Sequence, residues 1–194
     1  MKELATLLRE VRRCELCAEH LPHGPRPVLS AHEEAPVLVI GQAPGSRVHA
    51  SGVPWEDPSG DRLRAWLGLS RDEFYDRKKL ALVPMGFCYP GRGRSGDLPP
   101  RPECAPRWHE PLLARMPRVR LTLLLGRHAI GYYLRDRVKG TLTDTVKSWR
   151  EYRPAFVPLP HPSPRNNVWL QRNPWFEQEV VPYLRRRVAR VLRG

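Results

Sequence analysis

The stretch that most constrains this chain is Pro36-Val37-Leu38-Val39-Ile40 running into Gly41-Gln42-Ala43-Pro44-Gly45. Five apolar residues without polar alternation read as a strand buried on both faces, as the strands of parallel sheets are. Parallel strands are joined by crossover helices that cover the sheet, so this strand already asks for an α/β chain. Ligands of open α/β sheets sit at the carboxyl ends of the strands. A short turn held by two glycines and a proline at that edge is therefore a candidate functional loop. It has neither the glycine spacing of a dinucleotide fingerprint nor the Lys-Ser/Thr of a phosphate loop. Taken alone, it also fits an ordinary turn after a first strand.

The other segments complete the pattern. Residues 2–13 read as a helix with Leu4, Leu7, Leu8 and Val11 on one face, followed by a Pro/His/Gly-rich loop over 18–35. The stretch 41–58, with Gly45, Gly52, Pro54 and Pro58, is expected to be irregular. Ser59 is the expected N-cap of a helix through Leu67, and Ser70 with Glu73 forms a capping box for a helix over 70–78. A second strand is expected over 80–86, then a Gly/Pro/Arg-rich loop from Cys88 to Pro102 and a helix over 103–115. Leu121 to Leu125 is a third strand, followed by a helix over 127–135 and a helical turn over 143–149. A fourth strand, 155–158, precedes a proline-rich loop, and Pro174 after Asn173 suits the first position of a last helix to residue 192. Strands alternating with helices predict one domain, 1–194, of class α/β: a three-layer α/β/α arrangement around a four-stranded parallel sheet.

The chain has 194 residues, 41% of them hydrophobic, enough for a core of its own. Its formal charge is +13, from 33 Lys+Arg against 20 Asp+Glu, with arginine dominant. Guanidinium forks suit phosphate oxygens, so a polyanion such as nucleic acid is an expected partner, although an arginine-rich coding bias gives the same composition. Among the basic residues, Arg92, Arg94, Arg101 and the arginines of the last helix are candidate phosphate contacts. Met1 to Arg13 is charged throughout and lacks the apolar stretch of a secretory signal. A cytoplasmic monomer with no membrane partner is the expectation, and four cysteines there point to metal or packing rather than disulfides. Cys14 and Cys17 are spaced C-x-x-C, with Cys88 and Cys104 far downstream. Four thiolates from two helix–loop junctions suit either Zn²⁺ or a 4Fe–4S cluster, and spacing does not separate the two.

His161-Pro162-Ser163-Pro164 follows the fourth strand directly. A histidine there points beyond the same sheet edge as Gln42, and two prolines stiffen its loop. A surface turn with a capping histidine fits the same four residues. Paired with Gly41-Gln42-Ala43-Pro44-Gly45, however, the loop resembles the uracil-DNA glycosylase superfamily, most closely its iron–sulfur-containing bacterial and archaeal branch. The likeness runs from Gly41 through Gly52-Val53-Pro54-Trp55 to Ser59-Gly60-Asp61-Arg62-Leu63, and extends over most of the chain.

That resemblance implies a monofunctional DNA repair glycosylase, with DNA and a damaged base as partners. Such an enzyme flips the base out of the stack and hydrolyses its bond to the sugar. Uracil or a related deaminated base is the implied substrate. A different damaged base, or DNA binding without catalysis on the same fold, are the alternatives. The resemblance places His161 as hydrogen-bond donor to the departing base. It places Gln42, with the backbone around Ala43 and Pro44 between Gly41 and Gly45, against the attacking water and the base. Relatives carry an aspartate where Ala43 stands, so no carboxylate is expected at that position. His49 falls where the related branch has an acidic residue and is a second candidate for contacting water or sugar. Trp55 matches the aromatic residue on which the flipped base stacks. Ser163 belongs to the histidine loop, and Arg165 and Asn166 stand where the family inserts a wedge. Cys14, Cys17, Cys88 and Cys104 match the ligands of a structural 4Fe–4S cluster, with zinc as the alternative. The asparagine that reads uracil is missing: Ala81 to Cys88 contains no Asn or Asp, and Pro84 with Met85 stands at its place. Backbone groups of Pro84 to Gly86 are the expected substitute.

Overall fold

The computed structural model of the chain describes residues 3–194. The first strand is β1 (Val37–Ile40), buried along its whole length. It is followed by β2 (Leu80–Leu82), by a small hairpin of β3 (Arg92–Gly93) and β4 (Gly96–Asp97), and by β5 (Leu121–Leu125) and β6 (Phe156–Leu159). The main sheet has the order β2-β1-β5-β6, with every pairing parallel. The chain passes from β1 to β2 on one side and returns to β5 on the other. The order therefore reverses between β1 and β5, and such a reversal opens a crevice at the carboxyl edge.

The helices are α1 (Leu4–Arg12), α2 (Ser46–Ser51), α3 (Pro58–Leu67), α4 (Arg71–Tyr75), α5 (Cys104–Leu113), α6 (Gly126–Leu134), α7 (Leu142–Lys147), α8 (Asn167–Arg172) and α9 (Val181–Arg193). They flank the sheet: α9 packs on β1 and on α3, α6 packs on β5, and α1 packs on α5. The buried face of α1 is Leu4, Leu7, Leu8 and Val11, as its spacing requires. Lys2, the first residue of the helix expected there, lies outside the described residues. The outer edge of β2 is covered by the chain itself, since Ser30 and Leu82 exchange backbone hydrogen bonds of 2.9 and 2.7 Å. Among the described residues no helix is long and apolar enough to cross a membrane.

Several boundaries differ from expectation for local reasons. The stretch 41–58 is not irregular throughout: it carries α2, which ends where Gly52 turns at φ 76°. The cap of α3 is Asp57, not Ser59. Its Oδ1 accepts from the Gly60 amide at 2.8 Å, and Pro58, with no N–H to satisfy, takes the first helical position. α4 stops at Tyr75 rather than continuing to 78. β2 stops at Leu82, two residues before Pro84, whose missing N–H cannot continue a ladder. The last helix begins with a π-type turn, Phe176–Val180, before α9. The loop from Cys88 to Pro102 contains the hairpin, which no alternation of residue types announced.

Candidate functional site

The four strands of the main sheet deliver their following residues to one cleft of about 500 Å³. Gly41 leaves β1, Pro84 stands two residues past β2, Gly126 directly follows β5, and His161 stands two residues past β6. All four line the cleft. With them come Gln42, Ala43, Pro44 and Gly45 from the first loop, Trp55, and Ser163, Arg165 and Asn166 from the histidine loop.

The histidine loop is held from several sides. The His161 carbonyl accepts from Asn166 Nδ2 at 2.6 Å, and Ser163 Oγ accepts from the Arg165 amide at 3.3 Å. Arg62 on α3 donates to the Ser163 carbonyl at 3.1 Å and to Asn167 Oδ1 at 2.7 Å, tying the loop to the neighbouring helix. The Ser163 amide donates to His161 Nδ1 at 3.2 Å. Burial lowers the His161 pKa from 6.5 to about 4, so the ring is neutral at pH 7. A neutral ring whose Nδ1 accepts carries its proton on Nε2. The loop thus fixes one tautomer and presents one N–H donor.

Trp55 closes the other side. Its ring stacks on His161 with centroids 5.6 Å apart and planes 27° from parallel. Its backbone sits at φ 60°, in the left-handed region that bulky residues avoid. Two glycines make that position possible. A Cβ on Gly41 would stand 2.6 Å from the Trp55 ring, and one on Gly60 would stand 1.7 Å from its carbonyl oxygen. The strain is local and lies against the functional loop, where such outliers concentrate.

The end of β2 forms a wall with few free polar groups. The Val83 amide bonds to Val39, the Met85 amide to Gly41 and the Gly86 amide to Gln42, at 2.9–3.0 Å. Pro84 has no N–H, and its carbonyl accepts from His109 Nε2 at 2.9 Å. Of the backbone groups expected to read a base here, the amides of Met85 and Gly86 are therefore taken by the first loop and the Pro84 carbonyl by His109. His109, on α5, is almost fully buried and stacks on Phe87. Its Nδ1 accepts from the Tyr133 hydroxyl at 2.6 Å, and burial pushes that hydroxyl's pKa up, so it stays a donor.

Burial lowers His109 as well, from 6.5 to about 4. Two histidines that fold neutral but charge readily when unfolded couple stability to pH. Their contribution is complete above pH 6.5, falls as pH drops through the interval to about 4, and is gone below it. Melting temperature is accordingly expected to fall on acidification from pH 7 to 4.5. His109→Gln, which keeps a donor for Pro84 and does not titrate, flattens that slope; an unchanged slope excludes this origin.

Residues not singled out from sequence complete the cleft. Asp97 and Ser95 come from the hairpin, Arg127 from the start of α6, and Asp57 from the cap of α3. Gln42 Nε2 donates to the Leu98 carbonyl at 3.4 Å, and Arg165 Nη1 to the Ser95 carbonyl at 3.3 Å, so the hairpin bridges the two loops. Two expected site residues lie elsewhere. Met85 does not line the cleft; its side chain is buried in the core. His49 does not line it either. Its ring packs with those of His23 and Tyr89, each 5.9 Å away, and its Nδ1 is buried without a hydrogen bond.

The four cysteines, distant in sequence, line a second, smaller cavity with Pro27, Gly86, Phe87 and Arg101. None is in a disulfide. The Phe87 amide donates to Cys104 Sγ at 3.4 Å and Trp108 Nε1 to Cys14 Sγ at 3.3 Å. No carboxylate lines this cavity, so its donor set is all sulfur, the set that suits Zn²⁺ or an iron–sulfur cluster. Arg101, one of the candidate phosphate contacts, pairs with Glu103 at 2.6 Å beside the thiols. In α9, Arg185 and Arg187 donate to the carbonyls of Ala65 and Pro154, so they brace the fold.

Residues 29–185 match the model of one protein family, described as the uracil DNA glycosylase superfamily. The match spans the whole sheet and every loop of the cleft, while Cys14 and Cys17 lie before it.

Proposed function

The chain belongs to the uracil DNA glycosylase superfamily, and from that premise we propose that it hydrolyses the bond between deoxyribose and uracil, or a related deaminated base, flipped out of DNA. The observation that carries this reading is the neutral, tautomer-fixed His161 at the cleft. As the C1′–N bond lengthens, negative charge gathers on the base and positive charge on the sugar. An N–H held in place at Nε2 stabilises the base oxygen without reorganising, and one such donor is worth about 3 kcal/mol. Trp55 supplies an aromatic face beside it, and Gln42 has its amide N–H fixed on Leu98, which leaves its carbonyl oxygen for the attacking water. The cleft lining carries carboxylates, hydroxyls, amides, imidazole and guanidinium, and among the described residues no lysine. Water rather than an amine is the nucleophile this lining serves, in keeping with a monofunctional enzyme; the proposal keeps the expectation of a cytoplasmic monomer.

A second reading, excision of a different damaged base, is favoured by the wall at Pro84. Uracil presents a carbonyl that needs a donor, and the amides of that wall are already bonded. A wall without a free donor favours a base whose edge needs none there, so an alkylated base fits it better than uracil, hypoxanthine or xanthine, which all present carbonyls. Both readings are tested by an alkali-cleavage panel of single- and double-stranded oligonucleotides bearing uracil, hypoxanthine, xanthine or an alkylated base. Cutting at uracil supports the first and cutting only at another lesion supports the second. Binding that His161→Ala leaves unchanged, with no excision, would mean a DNA-binding module instead.

The same proposal includes a 4Fe–4S cluster, or zinc in its place, held by Cys14, Cys17, Cys88 and Cys104. When bound, the metal cross-links the end of α1, the segment before the hairpin and the start of α5, and takes no part in bond breaking. The N–H donors of Phe87 and Trp108 suit thiolate sulfur. Cys104→Ser is expected to lose the visible absorbance and bound iron of anaerobically purified protein, and to cost several kcal/mol of stability. Colourless wild-type protein without iron excludes the cluster, and stoichiometric zinc in it selects the alternative.

A further inference from the structure

We propose that Asp97, carried on the β3–β4 hairpin, supplies the carboxylate that the first loop lacks at Ala43, orienting the attacking water and stabilising the cationic sugar. The assignment rests on the glycosylase reading of the cleft.

Two carboxylates line the cleft, Asp57 and Asp97. Asp57 is engaged as the cap of α3, its Oδ1 bonded to the Gly60 amide. Asp97 serves no helix. Its Oδ2 stands 3.4 Å from where a Cβ on Gly45 would be. The carbonyl of the next residue, Leu98, takes the Gln42 amide at 3.4 Å. Residues 97 and 98 therefore run alongside the first loop from Gln42 to Gly45, and Ala43 lies between those two contacts. A carboxylate that an aspartate at position 43 would offer from the loop is offered instead from the hairpin facing it.

The hairpin is also braced. Tyr89 is buried beside the hairpin, and the Asp97 carboxylate near it helps hold its hydroxyl protonated. The Tyr89 ring stacks on His23 at 5.3 Å and 21°, with His49 packed against both. At the hairpin tip, Gly96 sits at φ 135° and leaves room for the Arg165 guanidinium, which bonds the Ser95 carbonyl. The hairpin that carries Asp97 is thus located by Gln42 through Leu98 and by the histidine loop through Arg165, with the stacked Tyr89 ring behind it. This gives His49 a part in the site that differs from contact with water or sugar: its ring supports the tyrosine behind the carboxylate.

The step balances without another reactant. The C1′–N bond breaks with its electron pair on the base. The water oxygen bonds to C1′, its proton passes to the Asp97 carboxylate and on to solvent, and the base anion takes a proton from solvent. On a chain of charge +13 that meets a polyanion, a carboxylate at the cleft mouth weakens binding. Stabilising a cation in the transition state is the effect that offsets this.

The test is Asp97→Asn in the full chain, using the lesion that wild type excises. The single-turnover rate is expected to fall about 100-fold, the range of a positioned acid–base group. Affinity for an abasic-site duplex stays equal or tightens, and the melting temperature holds. Adding Ala43→Asp to Asp97→Asn restores the rate at least about tenfold, since the carboxylate returns from the opposite side. A rate for Asp97→Asn within about threefold of wild type overturns the assignment alone, as does a parallel loss of rate and abasic-site affinity. A wild-type protein that excises none of the lesions overturns the glycosylase reading and this assignment with it.

Discussion

His161→Ala lowers the single-turnover rate of base excision by about 10²–10³-fold, the usual cost of deleting one preorganised donor to a developing anion. Affinity for the lesion duplex changes only a few-fold, because the donor matters when charge reaches the base oxygen. Its pH dependence follows from the ring's environment. Burial holds His161 neutral down to about pH 4, so wild-type excision keeps its Nε2–H donor unchanged from pH 8 to 5. An imidazole that acted as a proton donor in its charged form would instead gain activity over that interval. A flat profile in wild type, a large rate loss in His161→Ala and retained binding together identify a neutral electrophilic histidine. A variant within about fivefold of wild type would remove His161 from the chemistry. Because Trp55 stacks on this ring, its fluorescence in the variant reports whether the loop has moved as well.

The sheet was readable because its strands are continuous apolar runs. Val37 to Ile40 and Leu121 to Leu125 have no polar alternation, and a segment of that kind is stable only between two layers. The two loops of the site were readable for the same reason, since a parallel strand fixes which way the next residue points. What the sequence did not disclose depends on contacts between distant segments. Asp97 stands in a Gly/Pro/Arg-rich stretch whose hairpin is two residues per strand, too short for any pattern. Arg62 looks like one more surface arginine of α3 until Ser163 and Asn167 arrive to accept its hydrogen bonds. Met85 is expected beside Pro84 only because the resemblance puts both where the asparagine is missing; β2 ends at Leu82, and past it Met85 turns into the core. His49 was misplaced because α2 was hidden in a stretch of glycine and proline. A helix there carries His49 toward Tyr89 rather than toward the cleft.

Gly60→Ala tests how firmly the site's geometry is tied to the fold, and here two effects of opposite sign compete. Gly60 lies in the first turn of α3, where alanine's helix propensity favours the substitution by about 0.8–1.0 kcal/mol. Against that, the new methyl would stand 1.7 Å from the Trp55 carbonyl oxygen and 3.0 Å from its Cβ. The first is backbone, and it belongs to a residue already held at φ 60°, so it cannot step aside as a side-chain tip would. Overpacking against fixed backbone costs about 1–3 kcal/mol, occasionally more, and the clash wins. Net destabilisation of about 2 kcal/mol is expected, a fall of roughly 4–8 °C in melting temperature for a chain of this size. Gly131→Ala is the internal control, because Gly131 lies in α6 with nothing within 4 Å of its would-be Cβ. There the propensity term acts alone, and the same substitution raises stability by about 0.8–1.0 kcal/mol. Excision separates them as well. Gly60→Ala displaces the ring that stacks on His161 and slows the reaction, while Gly131→Ala leaves the rate at the wild-type value. Equal melting temperatures for the two variants would mean that Trp55 moves freely, and that its left-handed backbone is not braced by α3.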